Sequence, residues 1–439
     1  MVRETWGTRV GFILAAVGSA VGLGNIWRFP FLTGESGGAA FLFVYLAFVV
    51  FIGLPVLIVE FVIGRRSNRN VIGAFKELDN PNWQFAGFVG ALAGFIILSY
   101  YSVVGGWVIQ YFVSSFTGAY AGDAAAYFGQ AATGTNAIVA HAIFMGLVAG
   151  IVAFGVRDGL ERAAKLMVPS IIALLVILAG YGATLSGSSE AYAYYLSPNL
   201  DTILSNLGSI APAAAGQAFF TLSLGMGVMV TYASYISEDR SLLQDAGTIV
   251  VVDTSIAFLA GLVVFPFLFT QGVEPGAGGA GAVFISLAAA FSSLPAGGLI
   301  GAVFFFTLGI AALTSAFSIL EVVVSYVIDT FDVERRNATL VLAVIIFAVG
   351  IPTAIDLTWL DVYDKFANNI LLILGGLLMS LFIGWVYADQ GVDELTKGGP
   401  SKGLATGWLW VVRVVIPVVL AYTLYLGATE YWAFLMETF

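Results

Sequence analysis

Eleven runs of roughly twenty or more mostly apolar residues, separated by clusters of glycine, proline and charge, leave this chain few ways to fold in water. They lie at 10–32, 40–64, 86–116, 137–156, 163–184, 208–236, 243–271, 298–328, 338–355, 363–388 and 405–428. At about 1.5 Å of rise per residue each run can cross the hydrocarbon of a bilayer as a helix. Of 439 residues, 59% are hydrophobic and only 10% charged, too little polar surface to cover a soluble core. The sequence therefore predicts an all-α polytopic protein embedded in a lipid bilayer. No small-residue cleavage site follows the first run, so a retained span is expected there rather than a signal peptide. With no cysteine and one histidine, His141, disulfide, thiol and Cys/His metal chemistry are excluded. His141 stands at the mouth of a span, where an interfacial role without catalytic work is expected. The net charge of −10 is spread over loops and argues against nucleic acid as a partner.

Lys and Arg set the orientation. With the N-terminus cytoplasmic, Arg3, Arg9, Arg65, Arg66, Arg69, Lys76, Arg157, Arg162, Lys165, Arg240, Arg335, Arg336, Lys397 and Lys402 all fall inside, and the opposite loops carry none. Arg28, Lys365 and Arg413 lie within spans or at their ends. The C-terminus is then extracellular, and a cell-membrane location follows. Three loops differ in character. Residues 66–82 read as a short interfacial helix, 117–136 as an irregular Ala/Gly-rich connection, and 272–297 as a glycine-rich outer segment that turns apolar and dips back as a lid.

Two spans are interrupted in a way a continuous helix would not choose. The first holds Gly18, Gly22, Gly24, Asn25, Arg28 and Pro30 within residues 18–30, and the sixth holds Gly216, Gln217, Thr221, Ser223, Gly225 and Gly227 within 216–227. Glycine has a high helix cost, and polar groups in hydrocarbon need partners. A helix broken at membrane depth offers carbonyls to a cation and amides to an anion, so such a pair marks a midplane binding site. Breaks in the first and sixth spans divide the chain into two five-span inverted repeats, 1–184 and 185–391, followed by a cytoplasmic loop and the eleventh span in 392–439. Tyr100, Tyr101, Asp253, Thr314 and Ser315, the last two close to Ala311, add hydroxyls and one acid at depth. Sodium, a hard cation, is served by such oxygens.

Trp6, the run Gly22-Leu23-Gly24-Asn25-Ile26-Trp27-Arg28-Phe29-Pro30, Glu35-Ser36-Gly37-Gly38, Phe41, Glu60 and Gly64-Arg65 resemble the signature of the neurotransmitter:sodium symporters. Phe220-Thr221-Leu222-Ser223-Leu224-Gly225, Thr231-Tyr232-Ala233-Ser234-Tyr235, Leu313-Thr314-Ser315 and Asp361 with Asp364 extend the resemblance over all eleven spans. It implies one sodium held by the Ala20 carbonyl, Asn25, Thr221, Asp253 and the substrate carboxylate. A second sodium would be held by the carbonyls of Gly18, Val21 and Ala311 and the hydroxyls of Thr314 and Ser315.

By the same resemblance the substrate carboxylate meets the Leu23 and Gly24 amides and the Tyr101 hydroxyl. The ammonium meets the carbonyls of Ala20, Phe220 and Thr221, and Ser223. The substrate side chain lies among Ser19, Val21, Ile97, Tyr101, Phe220, Met226, Ser315 and Ile319, with Met226 where a bacterial member has an aromatic. The resemblance also implies that Arg28 pairs with Asp364 as an outer gate with Phe220 as an inner lid, that Arg3, Trp6, Tyr235 and Asp329 form the cytoplasmic gate, and that Glu60 braces the broken helices.

Animal members bind chloride and usually carry Asn at the position of Asp253, and bacterial members can supply an acid one turn later, where this chain has Ala257. Asp253 can aim its charge into the same place, so chloride independence is expected. The implied function is sodium-coupled symport of hydrophobic L-amino acids, aliphatic to aromatic, by alternating access. The alternative is a non-transporting amino-acid receptor on the same fold. No convergence of histidine, cysteine or paired acids supports an enzyme.

Overall fold

The computed structural model describes residues 5–237, 240–276 and 281–439 of the chain. Among the described residues, nine helices are long and apolar enough to cross a membrane: Ala39–Ser67, Pro81–Thr117, Gly134–Ala153, Val156–Gly182, Leu242–Thr270, Gly297–Phe331, Arg335–Ile355, Leu357–Val386 and Lys402–Thr438. A tenth span is the pair Arg9–Ala20 and Gly24–Glu35, bent by 47°. The sixth span of the sequence is also two helices, Leu200–Thr221 and Val228–Ala233, joined by unwound residues. The first and sixth spans are therefore the broken ones.

Local chemistry explains both breaks. The first helix begins at Thr8, whose side chain accepts from Gly11 N, and ends where Val21 turns extended at φ −81°, ψ 99°. Gly24–Arg28 then re-forms as a π-helical turn. In the sixth span, Ser223, Gly225 and Gly227 all adopt positive φ, at 53°, 76° and 76°. Gly225 is required twice over, because a Cβ there would collide with the Leu372 backbone. Ser223 is the non-glycine in this region and bears the strain.

The two breaks lie side by side. Gln217 Nε2 donates to the Gly24 carbonyl at 2.8 Å, a second partner for an oxygen that also accepts from Phe29 N, and so ties the sixth span to the re-formed turn of the first. Gly225 N donates to Glu60 Oε1 at 2.7 Å, so the second span braces the sixth, as the sequence suggests for Glu60. The third span packs along the eighth, and the eighth also flanks the inner half of the first.

Two expectations are corrected. Residues 117–136 are not irregular: Asp123 caps a helix at Ala124–Ala132, and the carbonyls of Ala131 and Ala132 accept from Gln110 and Trp107 of the third span. His141 is fully buried rather than interfacial, with Nε2 3.1 Å from the Phe347 carbonyl. The 66–82 connection does contain a short helix, Gly73–Glu77. In the 272–297 segment, where 277–280 lie outside the described residues, a helix at Ala282–Ser293 sets Phe284 against Trp27, Trp107, Tyr111 and Phe128.

Candidate functional site

Where the two breaks meet, a small pocket of about 10 Å³ is lined by Ser19, Ala20, Gly22, Gly24, Ile97, Tyr101, Phe220, Ser223, Met226, Ser315 and Ile319. No charged side chain is among them. Val21, Leu23 and Thr221, also expected around a substrate, stand behind this lining. Leu23 still reaches it through its backbone, since Leu23 N donates to the Tyr101 hydroxyl at 3.1 Å. Gly22 is the lining residue absent from the expected set. A Cβ there would meet Tyr101 Oη at 2.6 Å, and its identity as a break glycine was the available signal.

Hydroxyls knit the pocket floor. Ser223 Oγ donates to the Ser19 carbonyl at 3.0 Å, Ser19 Oγ donates to Ser223 Oγ at 3.1 Å, and Ser318 Oγ donates to Ser19 Oγ at 2.7 Å. Ser318 was not foreseen, though it lies three residues after Ser315 on the same helix face. Every one of these serines is buried.

Two oxygen-rich clusters flank the pocket. In one, Asp253 Oδ1 accepts from Asn25 Nδ2 at 2.8 Å, Asp253 Oδ2 accepts from Thr221 Oγ1 at 3.1 Å, and Asn25 Oδ1 accepts from Gly22 N at 3.2 Å. In the other, Thr314 Oγ1 lies 2.8 Å from the Ala311 carbonyl and 3.3 Å from that of Val21, while Ser315 Oγ lies 2.8 Å from the Ser19 carbonyl and 3.5 Å from that of Gly18. The five residues expected around the second ion thus converge. Among the described residues no three His, Cys, Asp or Glu side chains cluster, so one acid with neutral oxygens is the donor chemistry on offer, which suits a monovalent hard cation.

The gates depart from expectation in their partners. The Arg28 guanidinium lies over the Phe220 ring, 4.9 Å from its centroid, instead of on Asp364, whose Oδ1 accepts from Asn368. Arg28 and Asp364 both line a cavity of about 440 Å³, the outer one by the Lys and Arg distribution. Phe220 lines the pocket and lies close against the first break: a Cβ on Gly24 would meet its Cδ1 at 2.8 Å.

On the side that the Lys and Arg distribution assigns to the cytoplasm, Trp6 Nε1 donates to the Tyr232 carbonyl at 2.9 Å and its ring meets Tyr235 edge-on. Tyr235 donates its hydroxyl to Glu321, itself paired with Arg335 at 2.6 Å, while Asp329 accepts from Asn70. Glu321 and Arg335 were not foreseen as gate residues. Arg3 lies outside the described residues. A second cavity, of about 730 Å³, opens on this side beside Trp6, Tyr235 and Arg240.

A pocket enclosed where two broken spans meet in an all-helical bundle is the arrangement of a membrane transporter. Comparison with known proteins agrees. The family model described as Sodium:neurotransmitter symporter family matches residues 3–135 and 129–439. The chain belongs to that family. An uncharacterized sodium-dependent transporter, YhdH, of Bacillus subtilis (strain 168) is 34% identical over 438 residues, which is 94% of this chain and 95% of that protein. Another, from Methanocaldococcus jannaschii, is 34% identical over 452 residues, 98% of this chain and 91% of its own. The crystal structure of MhsT in complex with L-phenylalanine matches with a TM-score of 0.89 and 40% identity, covering 97% of this chain and all of that one.

Proposed function

We propose that this protein carries hydrophobic L-amino acids into the cell together with sodium, by alternating access and without a chloride requirement. The observation that carries the reading is the pocket lining: backbone groups and hydroxyls of Ser19, Tyr101, Ser223 and Ser315 at one side, and Ile97, Phe220, Met226 and Ile319 at the other. An amino acid needs polar partners for its ammonium and carboxylate, and this lining has no acid or base for a charged side chain. That MhsT is solved with L-phenylalanine supports the same substrate class.

In this reading the substrate carboxylate takes the Leu23 and Gly24 amides and the Tyr101 hydroxyl. The ammonium takes the carbonyls of Ala20, Phe220 and Thr221, with Ser223. One sodium sits against Ala20, Asn25, Thr221, Asp253 and the bound carboxylate, so substrate and ion complete each other's site. The other sits among Gly18, Val21, Ala311, Thr314 and Ser315. Each ion moving inward gains about 2.3 kcal/mol per 100 mV of membrane potential. The repeats 1–184 and 185–391 would rock about the pocket, opening the two cavities in turn, in a cell membrane with the N-terminus inside and the C-terminus outside. Counterflow of labelled leucine in sodium-loaded proteoliposomes tests the reading. Exchange that requires sodium supports it; saturable binding without any flux makes the protein a receptor instead.

A further inference from the structure

Above Phe220 the outer cavity ends on Tyr100, Asp364 and Asn368. Asn368 belongs to the π-helical turn Phe366–Leu372 of the tenth span and is 4% exposed. Its Nδ2 donates to Asp364 Oδ1 at 2.7 Å, to the Asp364 carbonyl at 3.1 Å and to the Tyr100 hydroxyl at 3.1 Å. A carboxylate and a carbonyl only accept, so turning the amide over would set oxygen against oxygen. The orientation is fixed, and Asn368 Oδ1 is left buried with no hydrogen-bond partner. A buried acceptor in that condition is costly and calls for an explanation.

The charge around it supplies one. Glu35, Asp361, Asp364 and Glu430 line the cavity against Arg28 and Lys365. Lys365 Nζ pairs inside the cavity with Glu430 Oε1 at 2.9 Å, and the Arg28 guanidinium lies over the Phe220 ring, so two bases face four acids. The acids outnumber the bases, so the cavity lining is net negative beside the orphaned amide oxygen of Asn368. A focused negative field in a cleft raises the local concentration of cations.

We propose that Asp364 and Asn368 form an outer binding site for sodium, in which the ion rests at the base of the outer cavity before passing Phe220. Hard oxygen donors, one charged and one neutral, match this ion, and a single carboxylate gives a site weak enough to release it. The binding claim stands apart from transport; only the ion's onward movement rests on the symport reading.

The test uses the full chain in chloride-free nanodiscs with both deep clusters disabled by Asn25→Ala, Asp253→Ala, Thr314→Ala and Ser315→Ala. Radiolabelled sodium should still bind saturably, and adding Asn368→Leu should weaken that binding about tenfold, while Asn368→Asp should strengthen it. In the otherwise unaltered chain, Asn368→Leu should slow the sodium-triggered change in tryptophan fluorescence about tenfold and leave its equilibrium midpoint unchanged. That split of rate from affinity is not produced by mere loss of packing. Absence of saturable sodium binding in the disabled chain, equal rates for parent and Asn368→Leu, or displacement of the bound sodium by leucine would each overturn the proposal. Failure of sodium-dependent uptake in the parent would sink the symport reading while leaving the binding measurement interpretable.

Discussion

Asn25 Nδ2 lies 2.8 Å from Asp253 Oδ1, tying the unwound middle of the first span to the middle of the seventh. Thr221, at the end of the first half of the sixth span, reaches the same carboxylate at 3.1 Å. Three spans thus meet on one buried acid, and whatever changes its charge changes all three. A carboxylate here, ionised beside a bound cation, can balance it without a mobile anion. Transport by the parent should therefore be equal in chloride and in gluconate, and Asp253→Asn should abolish activity or create an anion requirement. Chloride-dependent uptake by the parent would refute this role for Asp253.

Thr314 and Ser315 hold the second cluster together by side chain, while Gly18, Val21 and Ala311 contribute carbonyls. Thr314→Ala with Ser315→Ala removes both hydroxyls. At roughly 1 kcal/mol per lost oxygen partner, the sodium concentration for half-maximal transport should rise about tenfold or more. An unchanged sodium dependence would exclude this cluster as an ion site.

Much of this was legible in the chain because glycine and polar residues have few reasons to sit inside an apolar run. Gly22, Gly24 and Asn25, and Ser223, Gly225 and Gly227, located both breaks, and the structure brings them together. What escaped depends on distance between elements. That Arg28 lies over Phe220 while Asp364 bonds Asn368 depends on how the first, sixth and tenth spans pack, which no spacing along the chain encodes, and Tyr235 meets Glu321 because of how the sixth span lies on the eighth. The Ala124–Ala132 helix was hidden because neighbouring glycines suggested a loop, whereas alanine propensity, the Asp123 cap and the contacts from Trp107 and Gln110 favour a helix.

Met226 is 1% exposed and lines the pocket beside Ile97 and Ile319. Methionine is unbranched and adaptable, so the pocket can admit a ring as well as a branched chain. Phenylalanine, tyrosine or tryptophan should compete for leucine uptake about as well as unlabelled leucine. Competition confined to alanine and glycine would show that Met226 does not set the pocket's size.

Arg65 and Glu394, both buried, pair at 2.7 Å and lock the end of the second span to the short helix Ala388–Thr396 between the last two spans. Glu394→Gln leaves the guanidinium without its counter-charge and should cost about 3 kcal/mol or more, read as earlier thermal unfolding in detergent. Burial alone would raise the Glu394 pKa, but the hydrogen bond from Lys397 and the Arg65 charge outweigh it and hold the carboxyl below its ordinary value. A depressed folded-state pKa stabilises above the unfolded value and loses that contribution as pH falls through the folded one. The clamp should thus be intact near neutrality and weaken below about pH 4. A parent whose melting is no more acid-sensitive than Glu394→Gln in that range would contradict the assignment.

The central claim is that sodium and a hydrophobic amino acid move together through this pocket. Uptake of labelled leucine into proteoliposomes, with sodium outside and all twenty amino acids offered in turn as competitors, tests it most directly. The account predicts accumulation that collapses when sodium is replaced by potassium and is blocked by aliphatic and aromatic amino acids but not by lysine, arginine, aspartate or glutamate. Accumulation that is equal in potassium, or blocked best by a charged amino acid, would contradict it.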